Sequence, residues 1–177
     1  MRKTIALLLV ILLVFNLSGC GIESKAKERF YLCRKPAKAI EHFFGVELPR
    51  DTEILEYAYE YARLLDHDDN IYNNNTTITA KLSIPAKDWN AFAEGMDAAG
   101  YQSLNADTDE AKEASEFYDH SDRKYAQEKS LWWNFDRADA EGYYGWYVSG
   151  YVKHVSTPYL FAIPNGDFVT VFLLLIV

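Results

Sequence analysis

The ten residues Phe168 to Val177, FVTVFLLLIV, are apolar on both of the faces that a strand would present. Few folded environments suit such a run. It is too short to cross a bilayer as a helix, which needs about 20 residues. A strand apolar on both faces fits the centre of a sheet that is covered on both sides. Asn165-Gly166 separates this run from another apolar stretch, Tyr159 to Ile163. An Asn-Gly pair in that position favours a tight hairpin, because both residues tolerate positive φ. The sequence therefore predicts a central strand at the C-terminal end of an antiparallel sheet. An edge or face covered by another chain is the alternative destination.

The rest of the chain supplies partners for that strand. Thr76 to Ile84 alternates Ile78, Ala80, Leu82 and Ile84 with Thr77, Thr79, Lys81 and Ser83, the period of a half-buried strand. Thr52 to Leu65 reads two ways. Period two places Leu55, Tyr57, Tyr59 and Tyr61 on one face, whereas period 3.6 gathers Ile54, Leu55, Ala58, Tyr61, Ala62 and Leu65 into a stripe. Strand is preferred, since Pro49 and the turn-rich stretch Asp66 to Asn75 bracket the segment opposite 76–84.

Two helices stand out. Pro36 opens one over about 36–44 through Ala37, Ile40, Phe43 and Phe44, and Gly45 closes it. Pro85 introduces another with Trp89, Phe92, Ala93 and Met96 on one side and Gly100 at its end. Residues 105–129 read as an acidic surface excursion with a short helix at Asp109 to Tyr118. Leu131 to Asp136 and Tyr143 to Val155 read as further strands of a meander. The expected fold is α+β: an antiparallel sheet with one or two helices packed mainly on one face.

At the other end of the chain, Arg2 and Lys3 precede an unbroken apolar stretch of eleven residues, Ile5 to Phe15, again too short to span. Leu17-Ser18-Gly19-Cys20 follows. This motif resembles the lipobox of bacterial lipoproteins. The resemblance covers only about the first twenty residues. It implies that Cys20 receives a diacylglycerol, that cleavage falls after Gly19, and that Cys20 becomes the new N-terminus. Two acyl chains hold a protein to a membrane durably where one does not. The expected organisation is a removed signal peptide at 1–19, a lipid-anchored tether at 20–34 and a single domain at 35–177. Its expected location is the cell membrane or outer membrane, facing outside the cytoplasm.

Cleavage leaves 16 basic residues against 26 acidic ones, a net charge of −10. Such a domain is repelled by nucleic acid and by anionic lipid surfaces, so the lipid at Cys20 must provide the attachment. With Cys20 acylated, Cys33 is the remaining thiol, which excludes an internal disulfide and a cysteine metal cluster. Cys33 reads as a small semi-buried hydrophobe. His42, His67, His120 and His154 are scattered without metal spacing. Asp66, Asp68 and Asn70 resemble the opening of a calcium loop, but Ile71 stands where glycine is required and Thr77 where glutamate is required. No metal or cofactor is implied. The acidic stretch Asp107 to Asp122 reads as a solvated face. No G-x-S-x-G or S-x-x-K arrangement or phosphate-cradling loop occurs.

Aromatic density is the feature above background. Strand alternation puts Tyr143, Tyr147, Ser149 and Tyr151 on one face and Tyr144, Trp146, Val148 and Val152 on the other. The second set reads as core and the first as a binding surface for an envelope protein or glycan, since tyrosine gives large contact area at low entropic cost. The preferred function is a non-catalytic binding or interaction module of the cell envelope. The alternative is a cell-wall hydrolase with acidic catalytic residues, which a concave pocket of convergent carboxylates would favour.

Overall fold

The computed structural model describes residues 34–65, 71–148 and 155–176, with side chains except at 61–65, 71–75, 129, 147–148 and 155–156. Cys20, Cys33 and nearly all of the 20–34 tether lie outside these residues, as do the Asp66 to Asn70 segment, Ser149 and Tyr151. The chain divides into two compact units, 1–39 and 40–177, and the packing described below is that of the second.

The elements are helix α1 (Pro36–Phe44), strands β1 (Glu53–Leu65) and β2 (Ile71–Pro85), helix α2 (Ala86–Ala98), strand β3 (Gln102–Ser103) and helix α3 (Asp109–Phe117). A π-helical turn, Tyr118–Asp122, follows, then helix α4 (Arg123–Lys129) and a short 3₁₀ turn at Arg137–Asp139. Strands β4 (Glu141–Tyr144), β5 (Tyr147–Val148), β6 (Val155–Ser156), β7 (Tyr159–Asn165) and β8 (Phe168–Ile176) complete the chain. Six strands form one antiparallel sheet in the order β1-β2-β8-β7-β4-β3, and β5 and β6 pair as a separate ribbon. The fold is α+β with an antiparallel sheet. Among the described residues no helix is long and apolar enough to cross a membrane.

The C-terminal run occupies the centre, with β8 hydrogen-bonded to β2 on one side and β7 on the other. Asn165 pairs with Phe168, so Gly166 and Asp167 make the turn, and Gly166 takes φ 61°. Glycine enters this left-handed region without the Cβ penalty that most residues meet there. Segment 52–65 is a strand. Tyr57 and Tyr59 lie opposite Ala80 and Ile78 of β2, and this cross-strand burial outweighs the helix propensity of its Glu, Ala and Leu residues.

Helices cover both faces of the sheet. On one face Ala80, Leu173 and Leu160 stand in a row across β2, β8 and β7, all fully buried. Phe43 of α1 packs its ring 6.2 Å from Tyr59 on this face. Phe92 and Met96 of α2 are buried, whereas Trp89 is only half-buried.

The opposite face carries Tyr144, Tyr159, Phe161, Phe172 and Leu174, which pack with Ala111, Tyr118, Ala126 and Trp133. Segment 105–129 is therefore the cover of a second core layer in addition to being an acidic surface. Thr77 and Thr79, on the polar side of the β2 alternation, are buried beneath it. Thr77 Oγ1 donates to Tyr125 Oη at 3.2 Å, and Thr79 Oγ1 shares a hydrogen bond with Ser130 Oγ at 3.0 Å. These bonds satisfy the hydroxyls that burial removes from water.

Two strand expectations are corrected. Leu131 to Asp136 is irregular: Trp133 N–H donates to the Ser130 carbonyl in a turn, Leu131 is fully exposed, and Trp133 is buried. The apparent alternation reflects one tryptophan folded back onto the sheet. The strand expected from Tyr143 to Val155 stops at Tyr144, where Gly145 N–H turns to the Pro158 carbonyl at 3.0 Å.

Candidate functional site

Thr108 opens α3 by accepting a hydrogen bond from Ala111 N–H at 3.1 Å, which fixes the helix start and the direction of its rows. Glu110, Glu113, Ala114 and Phe117 then follow one another at helical spacing along one side of α3. The helix continues into the π-helical turn, where Arg123 N–H reaches back to the Tyr118 carbonyl. The wider turn buries Tyr118 and Asp122 together, and insertions of this kind are frequent at functional sites.

Between this helical edge and the sheet lies a pocket of about 350 Å³, within the size range of small-molecule sites. The α3 row and Asp122 form one wall. Trp146, Thr157, Tyr159 and Ile176, from the strand ends, form the other. Tyr159 Oη donates to the Ala114 carbonyl at 3.2 Å, joining the two walls. Phe117 and Trp146 are each 57% exposed. These two large apolar side chains at the rim are left accessible to an occupant.

Asp122 is only 8% exposed. It makes no cap hydrogen bond to α4 and, among the described residues, no other side-chain hydrogen bond or ion pair. Arg137 is committed elsewhere: its guanidinium donates to Asp119 Oδ2 and Ser115 Oγ and lies over the Tyr118 ring. Burial alone pushes the Asp122 carboxyl up to about 6. Among the described residues no group of three or more His, Cys, Asp or Glu side chains is placed to hold a metal ion, so Glu110, Glu113 and Asp122 do not make one.

A carboxyl raised in the folded state binds protons more tightly when folded, so its charge lowers stability at high pH. The penalty is present above about pH 6 and disappears as the pH falls to the unfolded value near 4. Asp122→Asn is therefore expected to stabilise the chain by about 1 to 3 kcal/mol at pH 7.5 and to leave it nearly unchanged at pH 4. Urea unfolding at the two pH values measures this. A destabilised variant at pH 7.5 would show that the ionised carboxylate has a partner.

Of the four residues expected to form the binding face, Tyr143 is the one whose side chain the structure describes. Tyr143 is half-buried and donates to Glu141 Oε2 at 3.0 Å; burial and that bond push its hydroxyl up to about 12. Tyr144 points to the opposite face, where it is buried and donates to Gln102 Oε1 at 2.7 Å. The backbone of Tyr147 lies in β5, but its side chain, like Ser149 and Tyr151, is outside the described residues. Trp146, expected in the core with Tyr144, is largely exposed because the strand ends before it.

Sequence reading missed Asp122, since one aspartate in an acidic stretch carries no local mark of burial. A signal for its surroundings does exist: Ala111, Ala114 and Tyr118 recur at i, i+3 and i+7. No protein-family model, curated protein or solved structure matches this chain.

Proposed function

We propose that the chain is an exported lipoprotein, anchored through Cys20 outside the cytoplasmic membrane, whose 35–177 region is a non-catalytic binding module of the cell envelope. The observation that carries this reading is the apolar stretch Ile5 to Phe15 followed by Leu17-Ser18-Gly19-Cys20. A net charge of −10 after cleavage disfavours adhesion to anionic lipid, which leaves the acyl chains as the attachment. The pocket around Asp122 supports a binding role, because it joins accessible aromatic surface to a buried polar group without a protein partner. The expected ligand is an envelope protein or glycan.

Cys20→Ala is expected to abolish incorporation of radiolabelled fatty acid and to leave an unprocessed precursor or released protein. Equal labelling of the variant removes the anchor assignment.

The raised Asp122 carboxyl favours a second reading, a cell-wall hydrolase with Asp122 as the general acid. A carboxyl near 6 keeps part of its population protonated close to neutral pH, as an acid catalyst requires. Release of reducing ends from purified cell-wall material, lost in Asp122→Asn, would replace the binding module with this enzyme.

A further inference from the structure

We infer that the pocket between α3 and the strand ends binds a cationic amine, an ammonium group carried on an apolar stem. This rests on the reading of the chain as a binding module and names the chemistry of its ligand.

The walls contain three carboxylates, Glu110, Glu113 and Asp122, and no Lys, Arg or His. An acidic cluster on a solvated surface would carry little meaning. Here Asp122 is 92% buried and has neither a hydrogen bond nor an ion pair among the described residues, and the pocket is where it meets open space. Such a group calls for a cation, and an ammonium group provides both charge and N–H donors. Trp146 and Phe117 flank the same opening, and aromatic faces attract cations while covering an apolar stem. An anionic ligand would meet three like charges, and a neutral sugar would leave the charge of Asp122 uncompensated.

The π-helical turn is the device that makes the site. It places Tyr118 under the sheet and Asp122 at the pocket wall within one widened turn, where an α-helical register would rotate the carboxylate differently. The excess of acid over base in the mature chain also draws cations toward the surface.

Binding should weaken as Asp122 takes up its proton. The neighbouring groups that shape this titration are Glu110 and Glu113 of α3, Tyr118 and Asp119 of the π turn, Arg123 of α4, Arg137 of the 3₁₀ turn and Tyr159 of β7. Asp119 and Arg137 pair with each other, and the Tyr159 hydroxyl is held by Ala114. Glu110 and Glu113 are exposed to water, so Asp122 is the carboxylate that is both buried and without a partner among the described residues.

The test titrates the full-length chain, held in neutral detergent, with n-butylammonium and with n-butanol as its uncharged isostere. The Trp146 indole N–H resonance is the readout. At pH 7.5 the ammonium is expected to bind at least about tenfold more tightly than the alcohol, a difference of about 1.4 kcal/mol. Asp122→Asn is expected to erase that preference while keeping the fold, and Trp146→Ala, read by calorimetry, to weaken ammonium binding severalfold. Lowering the pH from 7.5 to 5 is expected to reduce the wild-type preference and to leave Asp122→Asn unaffected. Equal binding of amine and alcohol, a preference that survives Asp122→Asn, or tighter binding of a neutral chito-oligosaccharide than of the amine would each overturn the inference. Fatty-acid labelling at Cys20 reads the anchor, and release of reducing ends reads the binding module against the hydrolase, so failure of either reading and failure of the amine site give different results.

Discussion

Trp133→Ala is expected to lower stability by about 3 to 5 kcal/mol, the range for removing a large buried aromatic side chain. Trp133 is buried at the junction of the helical cover and the sheet. Its ring centroid lies 5.5 Å from Phe135, 5.9 Å from Phe172 and 6.3 Å from Phe161, and its indole N–H donates to Tyr118 Oη at 3.1 Å. Truncation opens a cavity among those rings and removes the donor from a buried hydroxyl, two losses in the same place. Trp133→Phe keeps most of the volume and is expected to cost about 1 to 2 kcal/mol, chiefly the unsatisfied Tyr118 hydroxyl. Urea unfolding with a constant slope separates the two variants. A loss below about 1 kcal/mol for the alanine variant would place Trp133 outside the core. Tyr118 and Asp122 share the π turn, so Trp133→Ala should also loosen the pocket wall.

Leu173→Asp is expected to abolish the folded state. Leu173 is fully buried at the centre of β8, with Ala80 of β2 on one side and Leu160 of β7 on the other, both also fully buried. A carboxylate there has no cationic neighbour in its row and no route to water from the middle strand. The penalty is comparable with the whole stability of a domain this size, about 5 to 15 kcal/mol. Leu173→Ala, which removes volume without adding charge, is expected to fold and to lose about 2 to 5 kcal/mol. Proton–nitrogen spectra report folding and denaturant unfolding reports the loss. A folded Leu173→Asp variant would mean that β8 is not sealed on that face.

The elements legible in the sequence are those whose signal is local. Gly45, Gly100 and Gly166 all have positive φ, and each ends an element where the neighbouring pattern stops. Pro36 begins α1, and the two-sided apolar run of β8 leaves that strand no place but the centre of the sheet. The alternation of β2 identified a strand and one of its buried faces. It did not reveal that Thr77 and Thr79 are buried too, because their partners Tyr125 and Ser130 lie about fifty positions away.

The pocket belongs to tertiary structure almost entirely. Trp146 becomes accessible because β4 ends at Tyr144: a Cβ on Gly145 would lie 3.1 Å from the Tyr101 ring, and its N–H is taken by Pro158. Neither partner is adjacent to it in sequence. Asp122 looks like its acidic neighbours along the chain, yet the π turn carries it out of solvent while Asp119 stays exposed. The sequence by itself determined the period of β2, the two-sided apolar run of β8, the glycine stops and the N-terminal motif, since each depends on the order of neighbouring residues. Only the tertiary structure decided which carboxylate is buried, because burial depends on what the rest of the chain places over a residue.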